Sequence, residues 1–413
     1  MISRCIDRVI AFSSPGQSEI MGIHMKREGS FWPAQLQEVL LRAALCEGKD
    51  AVEAWKEWRS RVDIDDIDRL DPGSYRLLPL LYHNLKNKYP DDPLMMRLKG
   101  VYRLTWYKNQ MLFHAIASVL RSFRRAGIDA MVLKGAALTL LCYRDYGLRP
   151  MNDFDVLVHT GDALSAVSLL RELGWTSLEF DPDEKYISVS YSHGFADKSG
   201  REFDLHWHLF SQCRTPGADD DYWKDAALTD FHGVPAYVLS PTDQLLHVCV
   251  HGAEWNITPP FRWVADAMML LRNAQDGIDW DSLISRAAKR QLTLPLLDTL
   301  QYLRETFDAQ VPPEVLRKLA NIPVPWIERM EYRIAINPPT PWSAALDLWC
   351  QHSRLAGSAN LPRKAAGFPK FLQSIWGISA WKLPFHSLMK TIQYGKMRRA
   401  SPDLHRGAKD AHP

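Results

Sequence analysis

The segment VLKGAALTLLCYRDYGLRPMNDFDVLV, Val132 to Val158, decides the fold. Its short apolar run predicts a strand over 130–133, followed by a helix over 135–142. A second strand is predicted over 153–158 and a helix over 162–173 that stops at Gly174. Side chains in a strand alternate faces, so Asp153 and Asp155 point one way while Phe154, Val156 and Val158 point into a core. Two carboxylates side by side repel each other unless a cation or a proton is shared between them. The pair therefore points to chemistry more than to packing.

Downstream, the alternating segments 185–192 and 201–209 predict further strands, with 235–239 as the last. In REFDLHWHL, Phe203, Leu205, Trp207 and Leu209 form one apolar stripe, and Glu202, Asp204, His206 and His208 form the opposite one. If this strand neighbours the first acidic one, Asp204 becomes a third carboxylate beside Asp153 and Asp155. The flanks are helical: apolar residues recur three and four apart from Trp32 to Arg125 and again from Pro241 onward. The expected organisation is a disordered leader at 1–29, a helical region at 30–126, an α/β core at 127–240, a helical domain at 241–345 and a basic aromatic tail at 346–413. The fold class is α+β, a small mixed β-sheet flanked by N-terminal and C-terminal helical regions.

Carboxylates converging from adjacent strands suit a hard cation, and Mg²⁺ usually takes one or two of them together with substrate phosphates and water. Two such ions, about 3.5–4 Å apart, can clamp the attacking and leaving oxygens of a displacement at phosphorus. A phosphate cradle is expected at Lys134-Gly135, where a strand turns into a helix and free backbone N–H groups face outward. Gly135 lets a phosphate approach the backbone, and Lys134 supplies a point charge. Arg149 can grip a phosphate or a carboxylate; the bland alternative is a salt bridge to Asp145 or Asp153.

His206 and His208 lie on the carboxylate stripe but lack the further Cys or His that a zinc site needs, so a substrate-facing or supporting role is expected. His247 and His251 are spaced i, i+4, yet no glutamate follows His247, and ordinary interfacial histidines are the expectation. Arg262 and Asp266, also i, i+4, read as a helix ion pair.

Composition narrows the class. The chain has 413 residues and a formal charge of +2, which gives no whole-molecule steering towards nucleic acid, and no sequence-specific nucleic-acid binding is expected. Six scattered cysteines without a CxxC pair argue for reduced thiols and a cytoplasmic location. Between His352 and Pro402 there are nine Lys or Arg and no Asp or Glu, interleaved with Phe371, Trp376, Trp381 and Phe385. Such a segment suits peripheral contact with the inner membrane surface or an acidic partner. A solvated positive face on a terminal helical layer is the plainer alternative.

Lys134-Gly135 and Leu138, then Arg149, Met151 and the run Asp153 to Val158, and later Phe203-Asp204-Leu205-His206-Trp207 resemble the uncharacterised nucleotidyltransferase family of the DNA-polymerase-β-like superfamily. The resemblance spans roughly residues 104–271. It implies that Asp153 and Asp155 hold a pair of Mg²⁺ ions, and that Asp204 binds one of them and helps deprotonate the acceptor. Beside these, the residue chemistry above gives Lys134, Gly135, Arg149 and His206 as the expected nucleotide-facing groups. The implied activity is transfer of a nucleoside monophosphate from an NTP such as ATP to a hydroxyl on a small molecule, peptide or protein, with release of pyrophosphate. The alternative is a degenerate member that binds a nucleotide or docks a biosynthetic complex without chemistry. The sequence departs from the superfamily pattern in having Ala136 after the glycine, where serine is commoner, and in the 16 residues between Ala136 and Asp153.

Overall fold

In the computed structural model, which describes residues 31–63, 67–254, 261–274, 277–337 and 340–383 with positions 386 and 389, one mixed sheet forms the centre. The leader at 1–29 and most of the tail beyond 383 lie outside the described residues. The strands are β1 Ala130–Leu133, β2 Asp153–Val158, β3 Thr176–Ser177, β4 Ser192–Ala196, β5 Glu202–His206, β6 Ala227–Asp230 and β7 Pro235–Val238. Their spatial order is β3-β4-β5-β2-β1-β7-β6. β1 and β2 pair antiparallel, whereas β2–β5 and β1–β7 are parallel. The architecture is α+β, as the alternation of patterns required.

Strand parity divides the core. Val132, Phe154, Val156, Phe203 and Leu205 face one side of the sheet. There they meet the long helix Pro93–Arg125 and the helix Ala163–Glu172. Met131, Leu133 and Leu157 face the other side, which is covered by the N-terminal and C-terminal helices together. The helices in chain order are α1 Gln35–Leu45, α2 Gly48–Arg61, α3 Leu78–Leu85, α4 Pro93–Arg125, α5 Lys134–Leu138 and α6 Ala163–Glu172. After the sheet come α7 Pro241–Gly252, α8 Arg262–Asn273, α9 Trp280–Arg290, α10 Thr293–Phe307, α11 Pro313–Ala320, α12 Trp326–Ala335, α13 Pro341–Leu355 and α14 Leu361–Trp376. The start of α4 is fixed by Asp92, whose carboxylate accepts from the Leu94 N–H at 2.9 Å, and by Pro93 in the first turn.

Three expectations need correcting. The alternation at 185–192 does not make a strand: Asp183 caps a single helical turn, Glu184–Ile187, by accepting from the Tyr186 N–H at 2.8 Å. The carbonyls of Ile187 and Ser190 are then taken by the indole N–H of Trp207, at 3.0 and 2.9 Å, so neither is left for a ladder. The helix expected over 135–142 is only one α-turn, α5, continued as a π-helical turn Thr139–Tyr143. The strand at 201–209 ends at His206, because His208 turns away to hydrogen-bond Asp219 at 2.7 Å.

Candidate active site

β2 and β5 run parallel in the register Asp153↔Glu202, Asp155↔Asp204 and Leu157↔His206. The parity that sends Phe154 and Phe203 into one core layer sends Asp155, Asp204 and His206 to the opposite face. Their donor atoms, two carboxylate oxygens and an imidazole nitrogen, lie within 4.8 Å of one another. The face is not open: helix α7 and its neighbours close over it, leaving Asp155 4% and His206 2% exposed. Asp153, on the same face at the strand start, remains exposed. Gly194, on β4 opposite Asp204, leaves room for that carboxylate, since a Cβ there would come within 3.3 Å of its Oδ1.

Lys134 reaches into this group, with Nζ 2.5 Å from Asp155 Oδ1, and His206 Nε2 stands 3.1 Å from the same oxygen. Burial alone would push the Lys134 ammonium down, but the Asp155 charge and hydrogen bond outweigh it and hold it above the ordinary lysine value. Burial likewise opposes ionisation of Asp155, and the Lys134 charge with the His206 hydrogen bond overcomes it, so Asp155 stays well below the usual carboxylate range. Asp204 goes the other way: burial and the neighbouring Asp155 charge raise it, against the pull of His206 and Lys134. Two adjacent carboxylates thus have environments that drive their proton affinities apart. Lys134 also has φ 46°, a left-handed conformation that costs a non-glycine residue about 1 kcal/mol and tends to occur at functional sites.

Arg149 is 5% exposed and makes a bidentate pair with Asp266 of α8, Nε to Oδ1 and Nη2 to Oδ2 both at 2.8 Å. Tyr143 donates to Asp266 Oδ1, also at 2.8 Å. The anticipated Arg262–Asp266 pairing gives way to this network, and Arg262 donates instead to the Pro150 carbonyl at 2.6 Å. Burial and the adjacent Arg149 guanidinium push the Arg262 guanidinium down to about 10. Gly135 serves this packing: a Cβ there would collide with the Arg149 guanidinium and the Met151 sulfur.

Arg76, Lys134, Arg149 and Arg262 line a cavity of about 240 Å³ together with Asp153 and Asp155, and His247 and His251 of α7 form part of its wall. His247 is buried, packs edge-on to Phe210 and is pushed well down by burial, which keeps it neutral. His251 pairs with Glu254 at 3.1 Å. His208 lies outside the group.

Sequence reasoning missed Arg76 and Asn109, and it gave Asp266 the partner Arg262 in place of Arg149. Asn109, fully buried on α4, donates from Nδ2 to the carbonyls of Tyr146 at 2.7 Å and Arg149 at 2.8 Å, and so fixes the loop that leads into β2. An Asn on an otherwise apolar helix face was the available signal.

A mixed sheet that presents paired carboxylates on neighbouring parallel strands, beside a basic strand-to-helix turn, defines the class as an α+β nucleotidyltransferase core. Residues 74–308 match a family described as uncharacterised nucleotidyltransferase; this is more than half of the chain, which belongs to that family. Membership makes it a protein of a transferase family. No curated protein matches the chain. Among solved structures, an antigenic nucleotidyltransferase-like protein from Paracoccidioides brasiliensis is similar at 15% identity, over 52% of this chain and 93% of that one, with a TM-score of 0.30. Among the described residues no helix is long and apolar enough to cross a membrane.

Proposed function

We propose that the chain transfers a nucleoside monophosphate from an NTP to an acceptor hydroxyl and releases pyrophosphate, using Mg²⁺ held by Asp155 and Asp204. The observation that carries this reading is the Asp155↔Asp204 register, which brings their oxygens and an imidazole nitrogen of His206 within 4.8 Å. A hard divalent cation fits the two carboxylates, and Asp153 on the same face extends the donor set. When bound, the metal supplies charge neutralisation between carboxylates and phosphates.

The protein's own groups account for the rest. Arg76, Lys134 and Arg262, three cations of the 240 Å³ cavity, hold the triphosphate. Arg149 is committed to Asp266 and positions the loop that carries Asp153. Asp204, whose proton affinity is raised, accepts the hydroxyl proton as the acceptor oxygen bonds to the α-phosphorus and the bond to the departing pyrophosphate breaks. His206 holds Asp155 in place through its 3.1 Å contact.

One observation favours a second reading. The Lys134 ammonium already neutralises Asp155, so the chain could bind nucleotides with that ammonium as the resident counter-charge and perform no transfer. Calorimetry with NTP and Mg²⁺, paired with pyrophosphate release from labelled NTPs in the presence of hydroxyl-bearing small molecules, peptides and proteins, separates the two. Heat with pyrophosphate that disappears in Asp155→Asn supports transfer. Heat with no product across all acceptors supports the binding module.

A further inference from the structure

A second cavity, of about 650 Å³ against about 240 Å³ for the acidic cleft, lies elsewhere in the fold. It lies between the loop at 211–218 that follows β5, the end of α9, the start of α12, and helices α13 and α14. Arg214, Lys289, Arg290, Arg354 and Lys364 line it, and no Asp or Glu does. Part of this charge has an ordinary cause: Lys289 and Arg290 in the last turn of α9, and Arg354 in that of α13, complement helix dipoles. Several also have partners, since Lys289 and Arg290 share Asp221 and Arg354 pairs with Glu331 at 2.6 Å.

Helix termini and these pairs do not account for all of it. Arg214 is 6% exposed; its Nη1 donates to the Val189 carbonyl, while its Nη2 has no partner among the described residues. Arg290 is 5% exposed, and its Nε and Nη1 also lack acceptors, although its guanidinium lies over the Tyr222 ring at 4.3 Å. Among the described residues the Lys364 ammonium donates to the Ser353 carbonyl at 3.3 Å. A buried guanidinium N–H left without an acceptor costs about 1–3 kcal/mol, so the positive charge along this wall is only partly compensated. Burial pushes the Arg214 guanidinium down to about 10, which an anion beside it would reverse. The rest of the wall is apolar and aromatic: Trp326, 60% exposed, with Trp349, Ile327 and Leu361. A cavity of this size takes a molecule of several rings, and convergent polar groups set in an apolar wall are the ordinary make-up of a ligand site.

We propose that this cavity binds a small organic anion, a phosphate, sulfonate or carboxylate carried on a planar ring. The charged group lies against Arg214, Arg290 and Lys364, and the ring lies against Trp326 and Trp349. This site is separate from the acidic cleft and does not depend on the transfer reaction.

The test is calorimetric titration of the full chain with 1-anilinonaphthalene-8-sulfonate, an anion on planar rings, at low and high salt. The expected result is one site per chain whose affinity falls with salt and which excess inorganic pyrophosphate displaces. Trp326→Ala, and separately the pair Lys289→Gln with Lys364→Gln, should each weaken binding by about tenfold. These side chains lie at the cavity mouth, and melting curves confirm that each variant is folded. Asp155→Asn, in the other cleft, should leave dye binding unchanged. Unaltered affinity in both cavity variants overturns the proposal. So does equal binding of the uncharged N-phenyl-1-naphthylamine, or loss of dye binding in Asp155→Asn alone. Because the readout is binding at this cavity, it stands or falls separately from any pyrophosphate assay.

Discussion

Asp204→Asn should stabilise the cation-free protein while abolishing transfer. Its carboxylate stands within 4.8 Å of the Asp155 donor oxygen. Two unit charges at that separation repel by about 3 kcal/mol at an effective dielectric of about 20, and Lys134 and His206 offset part of this. A neutral side chain of the same shape removes the net penalty, about 1–2 kcal/mol, and raises the melting temperature of a 413-residue chain by about 1–2 °C. Asp155→Asn should do the reverse. It takes away the partner of the Lys134 ammonium at 2.5 Å and of His206 at 3.1 Å, and an orphaned, largely buried charge costs about 3 kcal/mol or more.

Thermal scans in EDTA and in saturating Mg²⁺ read both effects. In EDTA the order of stability should be Asp204→Asn, then wild type, then Asp155→Asn. At a Mg²⁺ concentration 100 times its dissociation constant, wild type gains about 2.7 kcal/mol by mass action, whereas both variants gain far less. Wild type should then overtake Asp204→Asn. If Asp204→Asn melts at or below wild type in EDTA, the repulsion argued here is absent; if Mg²⁺ shifts all three proteins equally, these carboxylates are not where it binds.

Arg149→Met should destabilise by about 3–5 kcal/mol in urea titrations, because Asp266 is left charged and buried; adding Asp266→Leu should recover much of that loss, which a pair of independent contributions would not do. Asn109→Leu frees the carbonyls of Tyr146 and Arg149 and should cost about 2–4 kcal/mol, with loss of transfer accompanying the looser β2 approach. Burial raises Asp347 to about 6, against the hydrogen bond from Gln351, so its contribution to stability is fully present below about pH 4, the unfolded value, and is lost as pH rises through about 6. Asp347→Asn should therefore raise stability at pH 7.5 by about 1–2 kcal/mol and change little at pH 4, as urea midpoints at the two pH values will record.

Local pattern carried the centre of the sheet. The strand spans 130–133 and 153–158 coincide with β1 and β2, because four and six apolar or alternating residues between turns have no competing helical period. The edges were harder to read. β3 is two residues long, and β4, Ser192–Ala196, contains His193 and Gly194, so neither carries a strand-forming run. At 185–192 the alternation was genuine but lost to a cap and to the Trp207 indole, a tertiary donor that no local window contains.

The site divides in the same way. That Asp155, Asp204 and His206 share a face follows from strand parity, but that they are buried follows from helices far along the chain. Asp266 is 117 residues from Arg149, and Arg76 enters the cavity from the N-terminal helical region. Arg149 shows what this distance conceals. Next to an acidic pair it reads as a phosphate grip or a local salt bridge, yet its Nε and Nη2 are taken by Asp266, while Gly135 leaves the space that its Nη1 fills. Of the other cations that line the cavity, Lys134 pairs with Asp155 and Arg262 donates to the Pro150 carbonyl, and only Lys134 lies in the segment that defined the fold. Lys134 joins the two levels: its strained φ of 46° aims it at Asp155, so the turn between β1 and α5 that starts the fold also sets the charge balance at its centre.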